Sequence, residues 1–167
     1  HLGRLNSSAQ ALNLPWPQNA IEQIQHYIDA LPKGLFRVKA ALFSDGLALS
    51  HAAVSELSEQ QYVILSEHTL SQRDYLRRFK TTRREIFDQA WKTAEGQGAF
   101  DTLFFNSDGL LLEGGRSNVF IKYQGQWLTP SLDLDILNGV MRQAVLKQPL
   151  VLGADTIKES RITRSML

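Results

Sequence analysis

Apolar positions in the first thirty residues recur at helical spacing. Leu2, Leu5, Ala9, Leu12 and Leu14 form one stripe up to the breaker Pro15-Trp16-Pro17. A second stripe, Ile21, Ile24, Tyr27, Ile28 and Leu31, follows Asn19, a suitable helix cap, and stops at Pro32 and Gly34. From Leu35 the period changes to two. The run FRVKAALF, the turn Ser-Asp-Gly and the run LALSHAAV predict a hairpin, and QYVILS predicts a third strand, antiparallel with the others.

The stretch from Ser66 to Arg78 is polar with little apolar periodicity, so it is expected to connect two lobes. The spacing of Ile86, Ala90, Trp91 and Ala94 predicts a helix over KTTRREIFDQAWKTAEGQG, stopped by Gly96 and Gly98. Three strand candidates come next, FDTLFFN, LLLEGGRSNVFIKY and WLTP, and then a helix, VMRQAVLKQ, after Gly139. The expected organisation is α/β, with a small lobe over residues 1–66, a connector over 67–78 and a larger lobe over 79–167.

Composition narrows the function classes. With 18 basic against 17 acidic side chains in 167 residues, the net charge of +1 gives no general polycation for nucleic acid. The apolar runs are far shorter than the ~18 residues a membrane helix needs. No cysteine is present, which excludes disulfides, thiolate zinc sites and cysteine nucleophiles and fits the cytoplasm. The four histidines, His1, His26, His51 and His68, have no metal-binding spacing. The first residues read as the middle of a helix with no secretory leader, and ESRITRSML ends without a cap, so parts of the fold are expected beyond both ends.

Three positions are unusual. Lys80 lies within the basic run Arg73, Arg77, Arg78, Lys80, Arg83 and Arg84. That run crosses a connector-to-helix boundary and lacks interleaved aromatics, which argues against single-strand binding. A lysine there, after Phe79, can be desolvated at a lobe junction and made nucleophilic. Glu113 follows three leucines where a half-buried strand would hold an apolar residue. It is either paired in the interior or turned to solvent at Gly114-Gly115. Gly139 opens a helix whose backbone N–H groups can hold a phosphate, although helix entry alone also explains it.

In order, these residues resemble a family. FKTTRREIFDQA, FDTLFFNSDGLLLEGGRSNVFIKYQGQWLTP and ILNGVMRQAVL are similar to the fold-type-IV pyridoxal-phosphate enzymes, which include branched-chain and D-amino-acid aminotransferases and 4-amino-4-deoxychorismate lyases. The opening HLGRLNSSA resembles the family's H-L-x-R-L-x-x-S-A helix. Within the family, KTTRR and EGGRSNVF look most like the lyase domain fused behind aminodeoxychorismate synthase component I.

The resemblance implies a two-lobed fold with the cofactor, pyridoxal 5'-phosphate, in the cleft. Lys80 would form its Schiff base, and Glu113 would pair with the pyridine nitrogen and keep it protonated. Arg4 and the helix start at Gly139, Val140 and Met141 would hold the phosphate, and Ser117 and Asn118 would complete the binding set. The implied reaction is lysis of aminodeoxychorismate to 4-aminobenzoate and pyruvate in folate synthesis. An aminotransferase and a non-catalytic remnant are the alternatives. A homodimer is implied, working with or fused to the synthase, without nucleic acid, membrane or metal. The family usually carries G-hydrophobic-L-P-G before the phosphate helix, where this chain reads Asp135, Ile136, Leu137, Asn138, Gly139.

Overall fold

The computed structural model describes all of residues 1–167, which divide into two units, His1–Ser58 and Glu59–Leu167. No helix is long and apolar enough to cross a membrane.

The first unit holds α1 (Leu2–Ala11), α2 (Ala20–Asp29) and a hairpin of β1 (Phe36–Phe43) with β2 (Gly46–Ala53). α1 ends before Leu12 because Asn13 turns left-handed, with φ of 54°. Asn19 stands at the cap position of α2, yet its side chain does not bond the helix backbone; its Oδ1 accepts from Gln23 Nε2 at 2.7 Å. Ala9, Ala20 and Ile24 are the buried apolar residues, and Tyr27 Oη and His51 Nδ1 share a hydrogen bond of 2.8 Å.

The second unit opens with β3 (Val63–Leu70). A 3-10 turn (Tyr75–Arg78) and α3 (Glu85–Gly96) then lead to β4 (Asp101–Asn106) and β5 (Leu111–Gly114). β3 pairs with β4 in parallel and β4 with β5 antiparallel. This corrects two expectations. QYVILS is not a third antiparallel strand of the first lobe, and the polar stretch after Ser66 is not wholly a connector. Val63, Ile64 and Leu65 take β4 as their neighbour, and α3 supplies the crossover that a parallel pair requires. Leu70, inside the expected connector, is buried. The unit boundary accordingly falls at Ser58–Glu59, ahead of the strand.

A second sheet contains β6 (Ile121–Tyr123), β7 (Gln126–Pro130) and β8 (Ile157–Ser160), with β6 antiparallel and β8 parallel to β7. The run expected as one strand from Leu110 to Tyr123 is therefore two short strands around an irregular segment. α4 (Val140–Lys147) lies between β7 and β8.

β4 is buried along its whole length, and its alternating side chains feed two cores. Phe104 packs with Leu70, Phe87, Leu112, Leu134 and Ile136, its ring edge-on to Phe87 at 5.0 Å. Leu103 and Phe105 pack with Leu111, Leu128 and Ile162. The two sheets are tied by the Leu111 N–H, which donates to Ile162 O at 2.7 Å.

Arg142 fixes α4. Its side chain is 1% exposed, and Nη2 donates to Pro130 O at 2.9 Å and to Glu159, while Nη1 reaches Asn138 Oδ1 at 3.3 Å. Arg142→Ala leaves a buried carbonyl without its donor. It should lower the unfolding free energy by about 2–3 kcal/mol, read from urea unfolding curves. An unchanged midpoint would show that α4 is held by other contacts.

Candidate active site

Glu113 is the centre of the site. Leu111 and Leu112 before it are fully buried, and the pairing of β5 with β4 carries Glu113 into the interior at 3% exposure. The buried alternative at this position therefore holds, not the solvent-facing one. Its Oε1 accepts the Leu137 N–H at 3.2 Å. Burial pushes its pKa up to about 7 from 4.5, against the pull of the Leu137 N–H and of the charges on Arg84, Arg77 and Lys80. Desolvation wins, so the carboxyl is half-protonated near neutrality and still favours a further cationic or N–H partner.

The residues around Glu113 are held by arginines bonded to backbone. Arg77, 6% exposed, donates to Ser71 O at 2.6 Å and to Leu134 O and Asp135 O at 3.3 Å. Arg78 pairs with the buried Asp135 at 2.5 Å, and Arg84 donates to Gly115 O at 2.6 Å. Asp135 itself is left-handed, φ of 57°, which turns the chain from the 3-10 turn at Leu132–Leu134 toward Leu137.

Lys80 differs from expectation. α3 begins at Glu85, so Lys80 stands in the irregular segment before it, and the residue is exposed. The segment ahead of the helix carries the β-branched Thr81 and Thr82, and Arg84 N donates to Thr82 O at 2.9 Å in a tight turn. Lys80 nonetheless lies within the electrostatic reach of Glu113.

Ser117 and Asn118 are turned inward. Ser117 Oγ donates to Asp101 Oδ2 at 2.6 Å, and Asn118 Nδ2 donates to Leu137 O at 2.8 Å. Gly139 caps α4, and a Cβ there would overlap Asn118 Oδ1. The first turn of α4 carries no acidic residue, and Met141 is exposed, which leaves its N-terminal N–H groups suited to an anion. Glu113, Lys80, Ser117, Asn118, Gly139, Val140 and Met141 thus belong to the second unit, and Arg4 lies on α1 of the first.

Two residues went unnoticed in the sequence: Arg77, hidden in a run that looks like a solvated basic face, and Asp101. The latter had a signal, an acidic residue opening the otherwise apolar strand FDTLFF. Asp101 is fully buried.

The sequence pattern of the family Amino-transferase class IV matches residues 1–167, and the chain belongs to that family of pyridoxal-phosphate-dependent enzymes. A Schizosaccharomyces pombe protein provisionally named aminodeoxychorismate lyase is 26% identical over 152 residues, covering 88% of this chain and 66% of the relative. A Thermotoga maritima protein provisionally named branched-chain-amino-acid aminotransferase is 38% identical over 65 residues, 39% of this chain and 20% of the relative. The solved structure of a Mesorhizobium loti protein, provisionally an amino-acid aminotransferase, superposes with a TM-score of 0.84 at 27% identity. That superposition covers 99% of this chain and 79% of that one. The chain thus spans just under two thirds of the fission-yeast relative's length.

The shift of Glu113 has a sign in stability. Its folded pKa of about 7 exceeds the unfolded 4.5, so the native state holds the proton more tightly. Stability is then greatest below pH 4.5 as far as this group is concerned, and is lost as pH rises through about 7, by on the order of 3 kcal/mol. Urea unfolding of cofactor-free protein at pH 5 and pH 8 should show Glu113→Gln gaining stability relative to the parent at the higher pH. Parallel pH profiles for parent and variant would mean that Glu113 is hydrated.

Proposed function

We propose that this chain carries the pyridoxal-phosphate site of a 4-amino-4-deoxychorismate lyase, which releases 4-aminobenzoate and pyruvate. The observation that carries the cofactor part is Glu113, a buried carboxylate poised near neutrality beside three cations. The donor set fits the cofactor. A carboxylate of this kind suits a protonated ring nitrogen, the start of α4 suits a phosphate, and Lys80 supplies a primary amine for attachment. The lyase part is supported by EGGRSN and by the relative that matches along 88% of the chain.

When bound, the cofactor supplies an electron sink for the reacting carbon. Glu113, buried at 3% exposure, would hold the pyridine nitrogen protonated by its negative charge. The N–H groups at Val140 and Met141 would hold the cofactor's phosphate end. Lys80, with its amine free, would take the ring proton beside the substrate's 4-amino group as general base. The carbon–oxygen bond to the enolpyruvyl group would then break, the departing enolate taking a proton at carbon to become pyruvate as the ring becomes aromatic.

An aminotransferase uses the same lysine to move a proton between substrate carbon and cofactor, and the name carried by the Mesorhizobium loti structure favours it as the second reading. Borohydride reduction of protein incubated with pyridoxal phosphate, followed by peptide mapping, should label Lys80. Lys80→Ala should lose the label and reduce turnover by roughly 10²–10⁴-fold. Pyruvate release from aminodeoxychorismate without transfer to 2-oxoglutarate supports the lyase; the reverse pattern replaces it with the aminotransferase.

A further inference from the structure

Asp101 has no place in the chemistry above, yet it is fully buried at the start of the central strand. Its Oδ1 accepts the Thr102 N–H at 2.8 Å, and its Oδ2 accepts the Arg116 N–H at 3.1 Å and the Ser117 hydroxyl at 2.6 Å. The chain that follows Glu113 wraps around this carboxylate. A Cβ on Gly114 would overlap Oδ2 and Ser117 Oγ, and one on Gly115 would stand 2.9 Å from Oδ1 and 3.0 Å from Phe87 O. The turn is closed by Gly114 N donating to Ser117 O at 2.8 Å and anchored by Gly115 N donating to Thr102 O at 3.0 Å.

We propose that Asp101 is a positioning residue of the site, its carboxylate being the template around which residues 114–117 turn, so that it sets where Glu113 and Asn118 stand. Glu113 is one peptide bond before the templated turn. Asn118 is one peptide bond after it, and it donates to the carbonyl of Leu137, the residue whose N–H bonds Glu113. The same Leu137 carbonyl accepts the Gly139 N–H at 2.9 Å at the entry to α4. One anchor thereby reaches the carboxylate end and the helix end of the site. A carboxylate suits the task because it accepts several donors and brings no proton of its own. An amide must turn its NH₂ toward the N–H of Thr102 or of Arg116. For catalysis the proposal rests on the pyridoxal-phosphate reading of Glu113.

The test is the titration of Glu113 in cofactor-free protein, followed by carboxyl ¹³C NMR and assigned by its loss in Glu113→Gln. Arg77, Lys80 and Arg84 face Glu113 and are left unchanged, so a shift reports the turn. In Asp101→Asn the loosened turn admits water, and the midpoint should fall by roughly one unit or more from about 7. Removing the Asp101 charge pulls the same way, so Ser117→Ala is decisive. It keeps the charge and deletes one donor, and a fall of about half a unit then reports loosening alone. In the loaded enzyme kcat should drop about tenfold with KM little changed, as expected when only transition-state support is lost.

A Glu113 midpoint that stays in place in Ser117→Ala overturns the proposal, even if Asp101→Asn fails to fold. If the midpoint falls in Ser117→Ala but the parent takes no pyridoxal phosphate, the positioning role stands and the functional reading fails. If the parent is labelled at Lys80 and the midpoint does not move, the functional reading stands and the positioning role fails.

Discussion

A carboxylate carried into an apolar sheet has to be compensated, because leaving it charged and alone costs several kcal/mol. Glu113 sits in that position, and the chain around it is arranged to meet the demand. The compensation comes from separate places in the sequence: Leu137 offers its N–H, and Arg77, Lys80 and Arg84 offer charge. Neither Arg77 nor Arg84 forms a close ion pair with Glu113, and burial still outweighs the summed attraction. The result is a group that can hold or release a proton near neutral pH, which a fully neutralised salt bridge could not do. A cation brought to Glu113 completes the compensation, so ligand binding and the electrostatics of the fold are two sides of one term.

The arginines follow from the same constraint. An irregular segment inside a protein leaves carbonyls without strand or helix partners, and guanidinium groups satisfy them with several donors at once. Arg77 serves the carbonyls of Ser71, Leu134 and Asp135, Arg84 that of Gly115, Arg116 that of Phe100, Arg142 that of Pro130 and Arg164 that of Ser66. Arg116 also lies over the rings of Trp91 and Phe100, 4.8 and 4.3 Å from their centres. Most of these side chains fasten chain outside the strands, while those on Pro130 and Ser66 serve carbonyls within β7 and β3. The basic run that suggests a nucleic-acid surface in the sequence is spent in part on this internal work, which is why Arg77 is buried while its neighbour Arg78 reaches out to Asp135.

The helices, the β1–β2 hairpin and most strand positions were legible because each has a clear apolar period. The parallel pairing of β3 with β4 was not, since two apolar runs do not say which neighbour they choose, and α3 had to be recognised as a crossover. The start of α3 was read five residues early because Lys80 and the two threonines carry no breaker; the tight turn at Thr82–Arg84 is a tertiary choice. Glu113 was legible as an oddity and its burial was decided by pairing with β4. Asp101 was missed because an acidic residue at a strand edge usually faces water, and only the two glycines after Glu113 record that something occupies the space in front of them.

Those glycines show what a motif of this kind encodes. Neither Gly114 nor Gly115 has a positive φ, and neither does Gly139, so backbone freedom is not the reason for them. Each is small because a polar side chain from elsewhere lies against its Cα: Asp101 against Gly114 and Gly115, Asn118 against Gly139. A glycine and the side chain that fills its empty flank are therefore one feature split across the sequence. Changing the glycine to alanine and shortening its partner address the same contact, and the two changes should be less than additive where the smaller partner makes room for the new methyl group. By this logic EGGRSN carries its acid at one end, its loop-holding amide at the other, and between them the room for a carboxylate that the motif itself does not contain.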